Sequence, residues 1–294
     1  MNRSIKKKKG VTKSTLAEWF GFFFLRVSVY AVLFILLYFL YDIGSKGYGS
    51  LSWAFLTEAP RKGMTQGGIF PAIVGTFLVT MITALVAVPL GMAAAIYLNE
   101  YARAGRLTRL IRLSIRNLAG VPSIVYGLFG VILFVNIMKF GTSVLSAGLT
   151  LGLLTLPWTI TASEEALKSV PDSYREGALA LGATKWQMVR TNVLPYAVPG
   201  MITGAVLGLA RAAGETAPIM FTGAAFYLPY LPRSLKDQFM ALPYHLYIMA
   251  TQHHAIDKAR AIAYGTAVVL IAFIILFNLG AILIRARLRN KWRH

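Results

Sequence analysis

Six stretches of this chain are apolar and long enough to cross a ~30 Å hydrocarbon layer as helices. They are Phe22–Tyr41, Ile69–Leu98, Ala119–Met138, Ser143–Ala162, Gly200–Thr222 and Ala261–Ile284. Core helices of soluble proteins do not need such runs, so the expected fold class is an all-α polytopic membrane protein with six transmembrane helices. A content of 56% hydrophobic and 14% charged residues agrees. The basic stretch before Phe22 is not read as a signal peptide, because the apolar run is too long and no A-x-A-like site follows. Arg26 is expected to snorkel from the first span toward the cytoplasmic face. Pro89 is expected to kink the second span, with neighbouring helices covering the gap.

The net charge of +19 would suggest nucleic acid in a soluble protein. Here its distribution gives orientation instead. Lys and Arg number six in residues 1–21, five in 99–118, four in 163–198 and five after Ile284, against three, one and four in the alternate loops. The positive-inside rule places both termini and the 163–198 loop in the cytoplasm. Arg103, Arg106, Arg109, Arg112 and Arg116 alternate with Leu107, Leu110, Ile111 and Leu113, the pattern of a basic amphipathic helix at the membrane surface. The chain has no Cys, hence no disulfide, thiol nucleophile or Cys-based metal site. No G-x4-G-K-[ST] occurs, so the chain by itself is not expected to hydrolyse ATP.

The fifth span holds the candidate site. Arg211 lies about 16 Å along the helix from Gly200, near mid-membrane, where a charge is costly and marks function by default. Gly204, Gly208, Arg211, Glu215, Pro218 and Thr222 fall at a 4-3-4-3-4 spacing and are expected to share one face, with Met201, Val206, Leu209 and Ile219 on the other. Gly200, Gly204 and Gly208 allow a close helix approach. Pro218 cannot donate to the Gly214 carbonyl, leaving it open beside Arg211 and Glu215. The competing reading is an ion pair that only locks two helices together.

The 163–198 segment reads as two short helices. Pro171 and Asp172 suit a helix start and Gly182 its end; Thr184 caps a second helix running to Asn192 and stopped by Pro195. Such a knob suits a partner's groove, although a helix–turn–helix in a loop is often only structural.

Glu176-Gly177-Ala178, three residues to Gly182, then Leu194-Pro195, resembles the EAA loop of ABC importer permeases, E-A-A-x3-G-x9-I-x-L-P. The chain departs from that pattern at Gly177 and Asn192. In the fifth span, Arg211-Ala-Ala-Gly214-Glu215-Thr216-Ala217-Pro218 resembles the phosphate-specific permeases of the PstA type. Pro122-Ser123-Ile124-Val125-Tyr126-Gly127 and, more loosely, Leu242-Pro243-Tyr244-His245 are similar to the same group. The resemblance implies a type I ABC importer permease fold with a core over 65–285. The basic tail 1–21, a first helix and periplasmic loop over 22–64, and a second tail over 286–294 flank that core. It implies a bacterial inner-membrane subunit paired with a PstC-type permease, a PstB-type ATPase dimer and a periplasmic phosphate-binding protein. Inorganic phosphate would be the substrate, and no nucleic acid or cofactor would take part. Arg211, Gly214, Glu215, Thr216 and Pro218 would then serve substrate binding or gating. Glu176, Gly177, Ala178, Gly182, Leu194 and Pro195 would serve ATPase coupling.

The chemistry agrees, because the planar fork of Arg matches phosphate oxygens and Glu215 can hold Arg211 when the site is empty. Three other readings stand beside it. One is a sulfate- or molybdate-type permease. Another is an ion-coupled secondary transporter, which leaves the 163–198 knob without a task. The third is an intramembrane enzyme with a metal at His245, His253 and His254, whose spacing is not H-E-x-x-H; these are expected as surface histidines facing the periplasm.

Overall fold

The computed structural model describes residues 11–253 and 256–291. Five of its helices are long and apolar enough to cross a membrane, and a sixth span results if one sharply bent pair counts as one. The protein is an all-α polytopic membrane protein. In chain order the helices are α1 (Val11–Tyr48), α2 (Trp53–Thr57), α3 (Phe70–Ile96), α4 (Arg106–Ala119), α5 (Ser123–Gly130), α6 (Val144–Lys168), α7 (Asp172–Ala180), α8 (Lys185–Met188), α9 (Leu194–Gly214), α10 (Ala217–Thr222), α11 (Leu242–Thr251) and α12 (Ile256–Lys291). A two-residue antiparallel ladder, Pro60–Arg61 with Gln66–Gly67, sits in the loop before α3.

The centre is α3, α6 and α9. In lipid there is no hydrophobic drive to pair helices, so close backbone approach and hydroxyl bonding take over. A Cβ on Gly204 would collide with Ala162 of α6, and one on Gly200 would come within 2.9 Å of Ala166 Cβ. Gly148 of α6 admits Ile82, and Gly91 of α3 admits Thr159. Thr76, Thr80 and Thr83 on α3 and Thr150, Thr155 and Thr159 on α6 are buried, each donating to the carbonyl four residues back. Their hydroxyls are thus satisfied without leaving the helix.

Helix α1 is different. Its residues from Trp19 to Tyr41 are exposed, and only its end meets the rest of the chain. There Gly47 abuts Tyr264 and Val268 of α12, Asp42 pairs with Lys46 at 2.6 Å, and Ser50 Oγ donates to Ala261 O at 2.9 Å.

Several boundaries depart from the sequence reading. The helix expected over Ala119–Met138 begins at Ser123. Helix α4 runs through Ala119, and the chain then bends by 102° between α4 and the α5 segment. Gly120 and the extended Pro122 make that bend, since a proline disfavours helix in the residue before it. Pro195 does not stop the helix begun at Thr184. One span runs from Lys185 to Gly214, with a π turn over Val189–Val193 just ahead of Pro195. A π turn shifts the bonding register, which accommodates the donor that proline lacks. The fifth span is also not one helix, as described next. The segment 223–260, read as a loop, contains α11, too short to register as a span.

Candidate functional site

Pro218 shapes the centre of the molecule. In an unbroken helix its ring would meet the Gly214 carbonyl, a conflict worth about 3 kcal/mol. The chain avoids it by ending α9 at Gly214, taking an extended conformation at Glu215 (φ −72°, ψ 132°) and restarting at Ala217 with Pro218 in the first turn. The expected common face from Gly204 to Thr222 therefore ends at Arg211. Beyond the break, Pro218 and Thr222 are buried, with Pro218 and Ala217 against Gly127 of α5.

Arg211, Gly214, Glu215, Thr216 and Pro218 nevertheless gather at this break. Arg211 Nε donates to Glu215 Oε1 at 3.4 Å. The guanidinium also lies over the Trp158 ring of α6, 5.1 Å from its centre. Its side chain is 49% exposed and that of Glu215 16%, so Arg211 faces outward from the chain while Glu215 points inward. Glu215 lines a cavity of about 10 Å³ with Thr76 and Thr80 of α3 and Pro243 at the start of α11, room for about one water. Trp158 was not singled out by sequence. The signal was present, an aromatic directly after Pro157 in an apolar span, but nothing in the pattern pairs it with Arg211.

Helix α11 is held against this centre by polar bonds. The Leu242 amide donates to Thr76 Oγ1 at 2.8 Å. His245, read as a surface histidine, is buried in the described structure, 3.1 Å through Nδ1 from Thr266 Oγ1 of α12. Thr266 gives its own proton to Ile262 O, so His245 is assigned as the Nδ1–H donor. Burial, with a smaller contribution from the charge of His253, pushes its pKa down to about 4. His253 bonds to Gly63 O at 2.8 Å through Nε2. His254 lies outside the described residues. Among the described residues no three His, Asp or Glu side chains cluster as metal ligands would.

The six residues of the EAA-like pattern divide between two surfaces. Helix α7 ends in a Schellman motif: Ala183 N–H donates to Ala178 O at 3.1 Å and Gly182 N–H to Leu179 O at 3.0 Å. Gly182 sits at φ +82°, a conformation that favours glycine. Thr184 then opens α8 with a capping box to Gln187. Glu176, Gly177 and Gly182 are exposed, beside exposed Leu179, Leu181 and Trp186; Leu181 is 91% exposed. Ala178 is buried against a core that includes Leu98, Met188 and Val193, while Leu194 and Pro195 are half-buried within the continuous span. These exposed apolar side chains form an outer rim on a short helix anchored by Ala178.

Two ion pairs beneath this knob were not found from sequence. Arg175 bonds Glu100 at 2.8 Å, and Arg112 bonds Glu164 at 3.1 Å. Glu100 raises the pKa of Arg175 by hydrogen bonding, outweighing the opposing effect of burial. The signal was the position of two acids at the ends of apolar runs, which spacing along the chain does not connect to any arginine.

The chain thus presents a membrane-spanning helix broken beside an Arg–Glu pair and a small, mostly apolar cavity, and a two-helix knob with exposed apolar side chains. The matching family model covers residues 87–294, and the chain belongs to that family, the binding-protein-dependent transport system inner membrane components. It is 34% identical to the Bacillus subtilis probable ABC transporter permease protein YqgI over 80% of this chain and 83% of that one. It is likewise 34% identical to the Mycobacterium tuberculosis phosphate transport system permease protein PstA 1, over 93% of this chain and 88% of that one. A chain of a bacterial alginate ABC transporter, crystallised with a pentasaccharide-bound periplasmic protein, superposes with a TM-score of 0.68 at 14% identity, covering 95% of this chain and 98% of that chain. The fold is that of ABC importer permeases.

Proposed function

We propose that this chain is the permease subunit of an ATP-driven importer of inorganic phosphate. The observation that carries the reading is the Arg211–Glu215 pair at the break in the fifth span, in a chain related to phosphate permeases. Phosphate carries one to two charges near neutral pH, and a guanidinium binds its oxygens through two parallel donors. Arg211 is half-exposed on the side away from its own bundle, so a second permease of the PstC type would complete the site around it. Glu215, with Gly214, Thr216 and Pro218 fixing the break, would hold Arg211 between transport events and yield to arriving phosphate.

Energy would come from a PstB-type ATPase dimer on the cytoplasmic side. It would dock on α7 and α8 through Glu176, Gly177, Gly182 and the exposed leucines, with Ala178, Leu194 and Pro195 holding the knob to the span. A periplasmic phosphate-binding protein would deliver substrate on the opposite side. The chain itself would carry no catalytic residue.

The test is labelled phosphate uptake in cells carrying the wild type or Arg211→Gln, with unlabelled sulfate and molybdate as competitors and with insertion and assembly checked. Loss of uptake in the variant, and competition by phosphate alone in the wild type, is the expected result. Uptake that persists in Arg211→Gln would make the pair structural. Competition by sulfate or molybdate would move the substrate to another oxyanion.

A further inference from the structure

One guanidinium, that of Arg175, ties four segments together. Its Nη2 donates to Glu100 Oε1 at 2.8 Å and Nε to Oε2 at 3.3 Å, a forked pair with the end of α3. The same group donates to Leu167 O at 2.9 Å at the end of α6 and to Val170 O at 2.7 Å in the turn before α7. It also reaches Asp172 Oδ1 at 3.2 Å in the first turn of α7. The Arg175 and Glu100 side chains are only 16% and 4% exposed.

The end of α3 is built to receive such bonds. It winds into a π turn over Tyr97–Tyr101, closed by the Ala102 amide on Tyr97 O at 2.8 Å. The Leu98 carbonyl accepts Arg112 Nη2 of α4 at 2.7 Å, and Arg112 Nε reaches Glu164 Oε1 of α6 at 3.1 Å. Both α4 and α7 are therefore fastened to this one turn by arginines.

The covalent links of α7 interrupt the helix on both sides. On one side is the Ser169–Val170–Pro171 turn, on the other the left-handed Gly182 and then the π turn ahead of α9. A push on α7 transmitted through the backbone alone would be taken up at these points. A buried forked ion pair resists it, because separating the partners strands a charge away from water.

We propose that Glu100 and Arg175 are positioning residues for energy coupling. They make α7 and the end of α3 one body, so a displacement of the docking knob is delivered to α3. Helix α3 carries Thr76 and Thr80, which line the cavity beside Glu215. The transport readout of this inference rests on the phosphate-permease reading; its distance readout does not.

The test uses the whole transporter in proteoliposomes with its ATPase partner. The double variant Glu100→Gln/Arg175→Gln removes the pair without leaving a lone buried charge. Lys168→Gln, which loses only an exposed pair with Glu165, is the control. The double variant is expected to assemble and hydrolyse ATP while phosphate moved per ATP falls about tenfold. A merely structural pair would lower uptake and hydrolysis together, in proportion to assembled complex. The chain has no Cys, so spin labels placed at Tyr97→Cys, exposed in the turn that ends α3, and at Ser173→Cys report the α7-to-α3 distance directly. That distance is expected to stay the same with and without ATP in the wild-type background, and to broaden or change with nucleotide in the double variant. An identical, nucleotide-independent distance in the double variant overturns the joint, whatever the uptake. If the wild type moves no phosphate, the substrate reading fails and the distance measurement still decides the joint.

Discussion

Replacing Glu215 by Gln changes one charge and almost no volume, at the point where the proposed transport cycle needs a balance. At 3.4 Å from Arg211, the pair's Coulomb attraction is about 5 kcal/mol at an effective dielectric constant of 20. That is a gross figure. Exposed pairs measure about 0–1 kcal/mol, and because Arg211 is half-exposed while Glu215 is only 16% exposed, the net lies slightly above that range, at about 1.4 kcal/mol. If phosphate must displace Glu215 to reach Arg211, removing the carboxylate charge tightens substrate binding by that amount, about tenfold. Release from Arg211 slows by a similar factor, because nothing recaptures the guanidinium. The assay is initial-rate phosphate uptake by the reconstituted transporter over a range of substrate. The expected result is KM and kcat both lowered about tenfold, with kcat/KM little changed. Unaltered KM and kcat would refute the exchange while leaving an Arg211 role possible. A raised KM would refute it in the opposite sense, showing that Glu215 assists binding.

Four further expectations follow from particular contacts. Gly204→Val places a side chain where Ala162 stands, and overpacking is expected to cost about 1–3 kcal/mol, read as a lower melting temperature of the detergent-solubilised complex. Gly177 meets nothing within 4 Å, so Gly177→Ala is expected to stabilise α7 by about 0.5–1 kcal/mol and raise that temperature slightly. Leu181→Asp removes an exposed apolar side chain without touching the core; the expected outcome is weaker co-purification of the ATPase at unchanged permease yield, and equal recovery would remove Leu181 from the interface. His245 has its folded pKa below the ordinary value, so the neutral form contributes stability above pH 6.5, lost as pH falls toward 4 and amounting to about 3 kcal/mol when complete. His245→Gln should flatten the melting-temperature profile over that window, and an identical slope in the variant would show that another group titrates.

Much of the membrane architecture is legible in the chain, because a bilayer asks one crude thing of it: runs of apolar residues long enough to cross. The spans read from Phe22, Ile69 and Ala261 follow from that alone, although the first runs on past Tyr41 to Tyr48. Local stops and caps read equally well, since Gly182 and Thr184 act on backbone groups a few residues away. Arg211 and Glu215 could be paired from sequence by their four-residue spacing, and the pair forms although the helix ends at Gly214, just before Glu215.

The rest was decided by contacts between segments far apart in the chain. Prolines made different choices according to context: Pro195 is absorbed by a π turn within a continuous span, whereas Pro218 breaks its helix. Propensity alone does not distinguish them, because each freed carbonyl must be matched by surroundings the sequence does not display. Trp158 meets Arg211 across two helices, and Glu100 meets Arg175 across 75 residues of chain. His245 looked like an exposed loop residue until α11 folded in against Thr266. Sequence alone therefore determined that this protein spans a membrane and roughly which apolar runs form its long helices. Only the tertiary structure decided which charge answers which, because a buried charge is satisfied by whatever neighbour the packing brings within about 3 Å.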